Sequence, residues 1–415
     1  MLIVYRILIN LVLILSPIIV IIRLIKQKES FSRFKEKFCF FTKKRENGNV
    51  LWFHGASVGE LQSIVPLIEI LEKKKEIKKI LITSNTLSSS KIIKKLKLKK
   101  VVHQFYPIDT VYLTKKFLDY WKPSSAFFID SEIWPNMIEN LNIKNIPTIL
   151  LNGRITKKTF RRWIICPGFS KKIFSKFNIC LASSNESKKY LKKLGSKQVK
   201  FIGNLKFAQS ESEKIIIDKN LKKFISLKKT WCASSTHKGE EVLCGKVHNK
   251  LKKRYQNLLT IIIPRHVERA QLIESELKDL KLKVHIHDTV NNNAISKNTD
   301  IIIVNSYGKT KSFYSICKNV FLGGSIVNHG GQNPLEATRY GCNILHGPNV
   351  SNFREIYDFL KKNKISQKIT TEEKIIKILN KLFSKKSESK KIQKKLSLIG
   401  QKILDSTYKE IKLNL

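Results

Sequence analysis

Several short segments carry side chains able to do chemistry, and each follows an apolar run. Leu51-Trp52-Phe53-His54-Gly55-Ala56-Ser57-Val58-Gly59-Glu60 passes from a strand pattern, through small residues, into a helix pattern. Small residues let a ligand approach the backbone, and a helix start offers free N–H groups to an anion. Glu60 falls in that first turn, as a general base facing a cleft or as an acid compensating the helix dipole. Asp130-Ser131-Glu132-Ile133-Trp134-Pro135-Asn136 sets two carboxylates two residues apart after another apolar run. They read as cleft carboxylates or as an N-cap with its first-turn acid. Lys206, in Gly203-Asn204-Leu205-Lys206-Phe207, is one of 79 basic residues and alone carries little information.

Later segments look suited to an anion. Pro264-Arg265-His266 directly follows Leu258–Ile263, and an arginine there can fork onto a phosphate. Phe321-Leu322-Gly323-Gly324-Ser325 ends a strand pattern in a glycine turn. Gly330-Gly331-Gln332-Asn333-Pro334-Leu335-Glu336-Ala337 then leads into a helix with proline near its start. Backbone amides in these turns can hold a phosphate, and Glu336 can accept from ribose hydroxyls.

The elements that position these segments alternate. Apolar runs at 50–53, 79–83, 101–105, 125–129, 148–151, 179–182 and 199–202 are separated by lysine-rich helical stretches. Continuous short apolar runs are what buried parallel strands look like, and their alternation with helices predicts doubly wound sheets. After a polar stretch, Gln209–Lys229, the pattern restarts at 230–233, 258–263, 282–285, 301–304, 319–322 and 343–346. The fold class is therefore α/β with two Rossmann-like domains, and ligands belong at the carboxyl ends of the strands, in the cleft between the halves. The expected boundaries are an anchor at 1–25, a first domain at 26–210, a second at 211–384 and a helical tail at 385–415.

The anchor is the run between Arg6 and Arg23, broken only by Asn10, Ser16 and Pro17. It is short for a span of ~20 residues, so it either crosses the bilayer with its arginines snorkelling or lies in the interface. Lys26, Lys28, Arg33 and Lys35 follow it and favour a cytoplasmic downstream side. A stretch around Phe31, Phe34, Phe38 and Phe41 rests on headgroups or packs on the domain.

The net charge of +47 favours anionic partners, although a lysine-rich composition runs through the whole chain. Seven cysteines, none at Cys-x-x-Cys spacing, give no disulfide or zinc framework and fit reduced thiols in the cytoplasm.

Taken in order after one N-terminal membrane segment, S-V-G-E, S-E-I-W-P-N, G-N-L-K-F, P-R-H, G-G-S and G-G-Q-N-P-L-E resemble the 3-deoxy-D-manno-octulosonic acid (Kdo) transferases over nearly the whole chain. The resemblance implies the GT-B architecture of two facing Rossmann-like domains, an acceptor domain first and a CMP-sugar domain second. It implies an inverting transfer of Kdo from CMP-Kdo to a lipid A precursor at the cytoplasmic face of the inner membrane, with an anionic membrane surface as partner. Neither cofactor nor metal nor nucleic acid is implied. Glu60 matches the catalytic base, and Asp130 and Lys206 match positions that stabilise the transition state. CMP contacts fall on Pro264 and Arg265, on Tyr307, Gly308 and Lys309, and on Asn333, Pro334, Leu335 and Glu336. The chain departs from the family in three places. Asp130 stands for a glutamate, Asn305-Ser306-Tyr307-Gly308-Lys309 replaces D-T-M-G-E, and G-G-Q-N replaces G-G-H-N. The rival readings are a GT-B transferase for another nucleotide sugar, a membrane-tethered nucleic-acid-binding protein, and an inactive relative.

Overall fold

The computed structural model describes residues 1–209, 217–288 and 295–413, in two compact units. The first comprises Met1–Gln209 and Ile399–Leu415, and the second Ser210–Leu398. The expected domain boundary at 210/211 lies outside the described residues.

The first unit holds β1 (Val50–His54), β2 (Lys79–Ser84), β3 (Val101–Phe105), β4 (Ser125–Ile129), β5 (Thr148–Gly153), β6 (Ile179–Ala182) and β7 (Val199–Phe201). All pair in parallel, in the order β3-β2-β1-β4-β5-β6-β7. The chain reverses its direction of winding between β1 and β4, and the carboxyl ends of those two strands open the crevice where such sheets bind ligands. Every residue of β1 and β4 is buried, which is why both runs are apolar without alternation.

The second unit repeats the plan with β8 (Lys229–Thr236), β9 (Leu258–Pro264), β10 (Val284–His287), β11 (Ile301–Val304), β12 (Asn319–Leu322), β13 (Asn343–His346) and β14 (Ser366–Lys368), ordered β10-β11-β9-β8-β12-β13-β14. Its two core clusters take alternate strand residues. Trp231, Ala233, Ile262, Ile303 and Phe321 face one way; Cys232, Ile261, Ile302, Val320 and Leu322 face the other. Helices cover both faces, as parallel sheets require. The stretch expected to be a polar join contains the helix Lys219–Ser226, which buries Leu221 and Ile225. A terminal helix, Ser389–Lys412, starts among residues of the second unit and ends among those of the first.

Leu2–Ile25 forms one helix long and apolar enough to cross a membrane. It is attached to the first unit along one face. Tyr5 donates to Asp109 at 2.7 Å, Arg6 to Asn136 at 3.1 Å, Leu13 packs on the core, and Ser16 and Val20 are buried. Arg6, Leu13, Ser16 and Val20 are spaced by seven, three and four residues, one stripe of a helix, with Tyr5 beside it. Ile3, Ile7, Leu11, Ile14, Ile18, Ile21 and Ile25 are exposed. The following aromatic stretch divides: Phe41 stacks on Tyr120 with ring centres 3.8 Å apart, while Phe31 and Phe40 stay exposed.

Candidate functional site

In the first unit the candidate residues Glu60 and Asp130 follow the central strands β1 and β4, and Lys206 follows the edge strand β7. β1 ends at His54, and the helix Val58–Glu72 begins four residues later. Ser57 caps it, and Glu60 closes a capping box: its carboxylate accepts from Ala56 N at 2.7 Å and from Ser57 N and Oγ at 3.4 and 2.8 Å. The cap reading of Glu60 is thus what the hydrogen bonds show. Burial, then the nearby Glu132 carboxylate, raises its pKa to about 7, against the lowering effect of Ser57. An acid held there is half ionised near neutrality, as a general base requires.

Asp130 follows β4 with φ of +56°, a left-handed conformation uncommon outside glycine, though aspartate and asparagine adopt it more readily than most. It is buried, and its carboxylate accepts from Asn152 Nδ2 and lies 3.4 Å from Lys206 Nζ. Asn152 itself has φ of +52°, at an irregularity in the pairing of β5 with β6, and its Oδ1 accepts from Leu205 N at 2.9 Å. That bulge turns the Asn152 amide to bridge β4 and the Lys206 segment. Asn204 accepts from Lys206 N at 3.0 Å and fixes the same turn. Glu132 makes a second pair: its Oε2 lies 3.2 Å from the buried His54 Nε2 and accepts from Trp134 Nε1 at 2.9 Å. The structure thus ties Asp130 to Lys206 directly and sets Glu60 within electrostatic reach of both Asp130 and Glu132.

An apolar cavity of about 500 Å³ opens beside this cluster, lined by Tyr5 of the N-terminal helix, Glu132, Ile133, Trp134, Trp163 and Phe169.

In the second unit the expected nucleotide residues also lie past carboxyl ends, of β9, β11 and β12, strands that with β8 form four consecutive neighbours. Pro264 closes β9, and Arg265 is exposed with its N–H on Thr236 O at 3.0 Å. Gly308 has φ of +77°, and Tyr307 donates to Glu268 at 3.1 Å; Lys309 is the N-cap of the helix Thr310–Ile316. Asn333 accepts from Leu335 N at 3.1 Å, Pro334 and Leu335 are buried, and Glu336 lies 4.0 Å from Lys311 Nζ.

One expectation changes here. The Gly323-Gly324-Ser325 turn does not offer its amides to a ligand. The buried Glu240 carboxylate accepts from Gly324 N at 2.7 Å, Ser325 N at 3.2 Å, Ile326 N at 3.0 Å and His237 N at 3.0 Å. Gly323 is needed for close packing instead, because a Cβ there would sit 2.4 Å from Ser235 O. The helix after Asn333, Leu335–Arg339, is five residues long, so its dipole contributes little to anion binding. Glu240 and Asn152 were not expected. An acid at a helix start and an asparagine ending a strand have no distinctive local signature, and both work through distant partners.

The family model described as "3-Deoxy-D-manno-octulosonic-acid transferase (kdotransferase)" matches residues 32–209. A 3-deoxy-D-manno-octulosonic acid transferase of Rickettsia bellii is 32% identical over 94% of this chain and 93% of its own length. That of Haemophilus influenzae is 30% identical over 75% of this chain and 73% of its own. Among solved structures, a UDP-GlcNAc 2-epimerase of Neisseria meningitidis bound to UDP-GlcNAc aligns with a TM-score of 0.57 at 13% identity, over 87% of this chain and all of that one. It matches in fold alone.

Proposed function

The chain belongs to the Kdo transferase family of glycosyltransferases, and from that premise we propose that it moves Kdo from CMP-Kdo to a lipid A precursor with inversion at the anomeric carbon. The observation that carries the reading is Glu60, held near neutrality on the crevice edge of the first unit beside the Asp130–Lys206 pair.

Glu60 removes the proton from the acceptor hydroxyl as that oxygen attacks the anomeric carbon, and CMP leaves from the opposite face. Lys206, held by Asp130, stabilises charge that grows in the transition state. Arg265 receives the CMP phosphate. Pro264, the Tyr307-Gly308-Lys309 turn and the Asn333–Glu336 segment hold the rest of the nucleotide, with Glu336 accepting from ribose.

The apolar cavity beside Glu132 supports an acceptor that carries acyl chains. The helix Lys157–Ile164, with Lys157, Lys158, Arg161 and Arg162 beside the exposed Ile165, supports docking on an anionic inner-membrane surface from the cytoplasm. Attachment of the N-terminal helix along one face favours its lying in the interface.

Incubation with a tetraacylated, bisphosphorylated lipid A precursor and freshly generated CMP-Kdo should add one or more Kdo masses to the lipid by mass spectrometry. An unchanged lipid beside an active control transferase would refute the reading. CMP should inhibit and UDP should not; the reverse would assign another donor.

The pH profile carries a sign. Glu60 acts deprotonated, and its pKa is about 7. With the acceptor well below saturation, kcat/KM should therefore fall about tenfold per unit below that value and level off above it. A profile flat from pH 5 to pH 8 would remove Glu60 as the titrating base.

A further inference from the structure

Three histidines of the second unit gather at the carboxyl edge of its sheet, and the nucleotide contacts proposed above use none of them. His237 follows β8, His266 follows β9, and His329 lies in the loop after β12. The His237 and His329 rings stack with centres 4.2 Å apart and planes 19° from parallel; His266 meets His237 edge-on at 6.1 Å. This is the crevice where winding reverses between β8 and β12, the expected ligand position on such a sheet.

Two further facts turn the cluster toward an anion. Glu240 already occupies the Gly324, Ser325 and Ile326 amides, so a negative group arriving there has to be met by side chains. His237 Nε2 is also buried without a hydrogen-bond partner among the described residues, a costly state that a ligand would relieve. A Cβ at Gly324 would lie 3.2 Å from that nitrogen, so glycine keeps the approach open.

The surroundings are positive. Burial, then His329, His266, Arg265 and Arg269, hold the His237 pKa down to about 4, and the same positive field favours a bound negative charge. Arg269 is committed to the buried Glu241 at 2.8 Å, whereas Arg265 is exposed at the rim. Face-to-face imidazoles do not converge their lone pairs on one point, so a shared metal ion does not fit.

We propose that His237 and His329, with His266 and Arg265 at the rim, form an oxyanion subsite for the sugar donor, taking its phosphate or its ulosonate carboxylate. This rests on the CMP-Kdo reading. It deepens that reading by assigning the recognition of negative charge to imidazoles rather than to the glycine turn.

The test uses the full-length protein in detergent. CMP affinity is measured by calorimetry and KM for CMP-Kdo by product formation, for the wild type, His237→Ala and His329→Ala; the exposed His329 is the variant least able to disturb folding. A tenfold or greater loss of CMP affinity in either variant assigns the subsite to the phosphate. Unchanged CMP affinity with a tenfold or greater rise in KM for CMP-Kdo assigns it to the carboxylate. Variants that melt like the wild type and keep both constants within threefold overturn the subsite. A wild type that neither binds CMP nor uses CMP-Kdo overturns the donor reading, and the subsite with it.

Discussion

Glu60→Gln lowers turnover by about 10²–10⁴-fold, the usual contribution of a general base, while CMP binds as tightly as before. The isosteric amide keeps an oxygen that accepts from Ala56 N, so the helix cap persists and lost activity is not lost folding. The affected step is proton removal from the acceptor, which places the loss in kcat. In the proposed function CMP is held by Arg265 and Asn333–Glu336 of the second unit, so its affinity should not move. Steady-state kinetics with calorimetric CMP titration reads both quantities. Turnover within fivefold of wild type would remove the base assignment and leave Glu60 as a helix cap.

Glu240→Ala should cost about 3–5 kcal/mol of stability, because an unsatisfied buried N–H costs about 1–3 kcal/mol and several lose their acceptor together. The carboxylate is buried and accepts from four backbone N–H groups, those of His237, Gly324, Ser325 and Ile326. Alanine leaves all four without an acceptor, in a turn where Gly323 has no room to shift. Urea denaturation followed by circular dichroism measures the loss, and a change under 1 kcal/mol would mean that water satisfies the turn. Glu240→Gln, which keeps one acceptor oxygen, should lose clearly less.

That second result marks where legibility ended. Runs such as Val50–His54 and Ser125–Ile129 were readable because a strand buried on both faces must be apolar throughout. β14, Ser366–Lys368, was missed because an edge strand of Ser-Gln-Lys carries no apolar signal. β10 was expected two residues early, since Leu282 is buried just before the strand begins. Glu60 and Asp130 could be located as acids leaving strands. That Asp130 holds Lys206 could not be read, because the contact spans 76 positions and depends on a bulge at Asn152. The glycine turn misled for a related reason. Small residues announce a close approach, yet they do not say whether a ligand or a distant glutamate makes it.

The N-terminal helix is commonly the first segment a protein chemist would cut away to obtain a soluble product. Here the cut would also remove a building block. Tyr5 is a partner of Asp109, a carboxyl whose pKa burial already raises to about 7 and which also accepts from Asn136 N and Met137 N. Asn136 and Met137 open the helix that follows Trp134, one turn from Glu132. A chain beginning after residue 25 would therefore expose Asp109 and loosen the loop carrying the site's second carboxylate. Loss of activity in such a truncation would be read too quickly as loss of the membrane. Restoring lipid to it should not restore the rate, whereas resupplying the missing helix as a peptide has a place to bind.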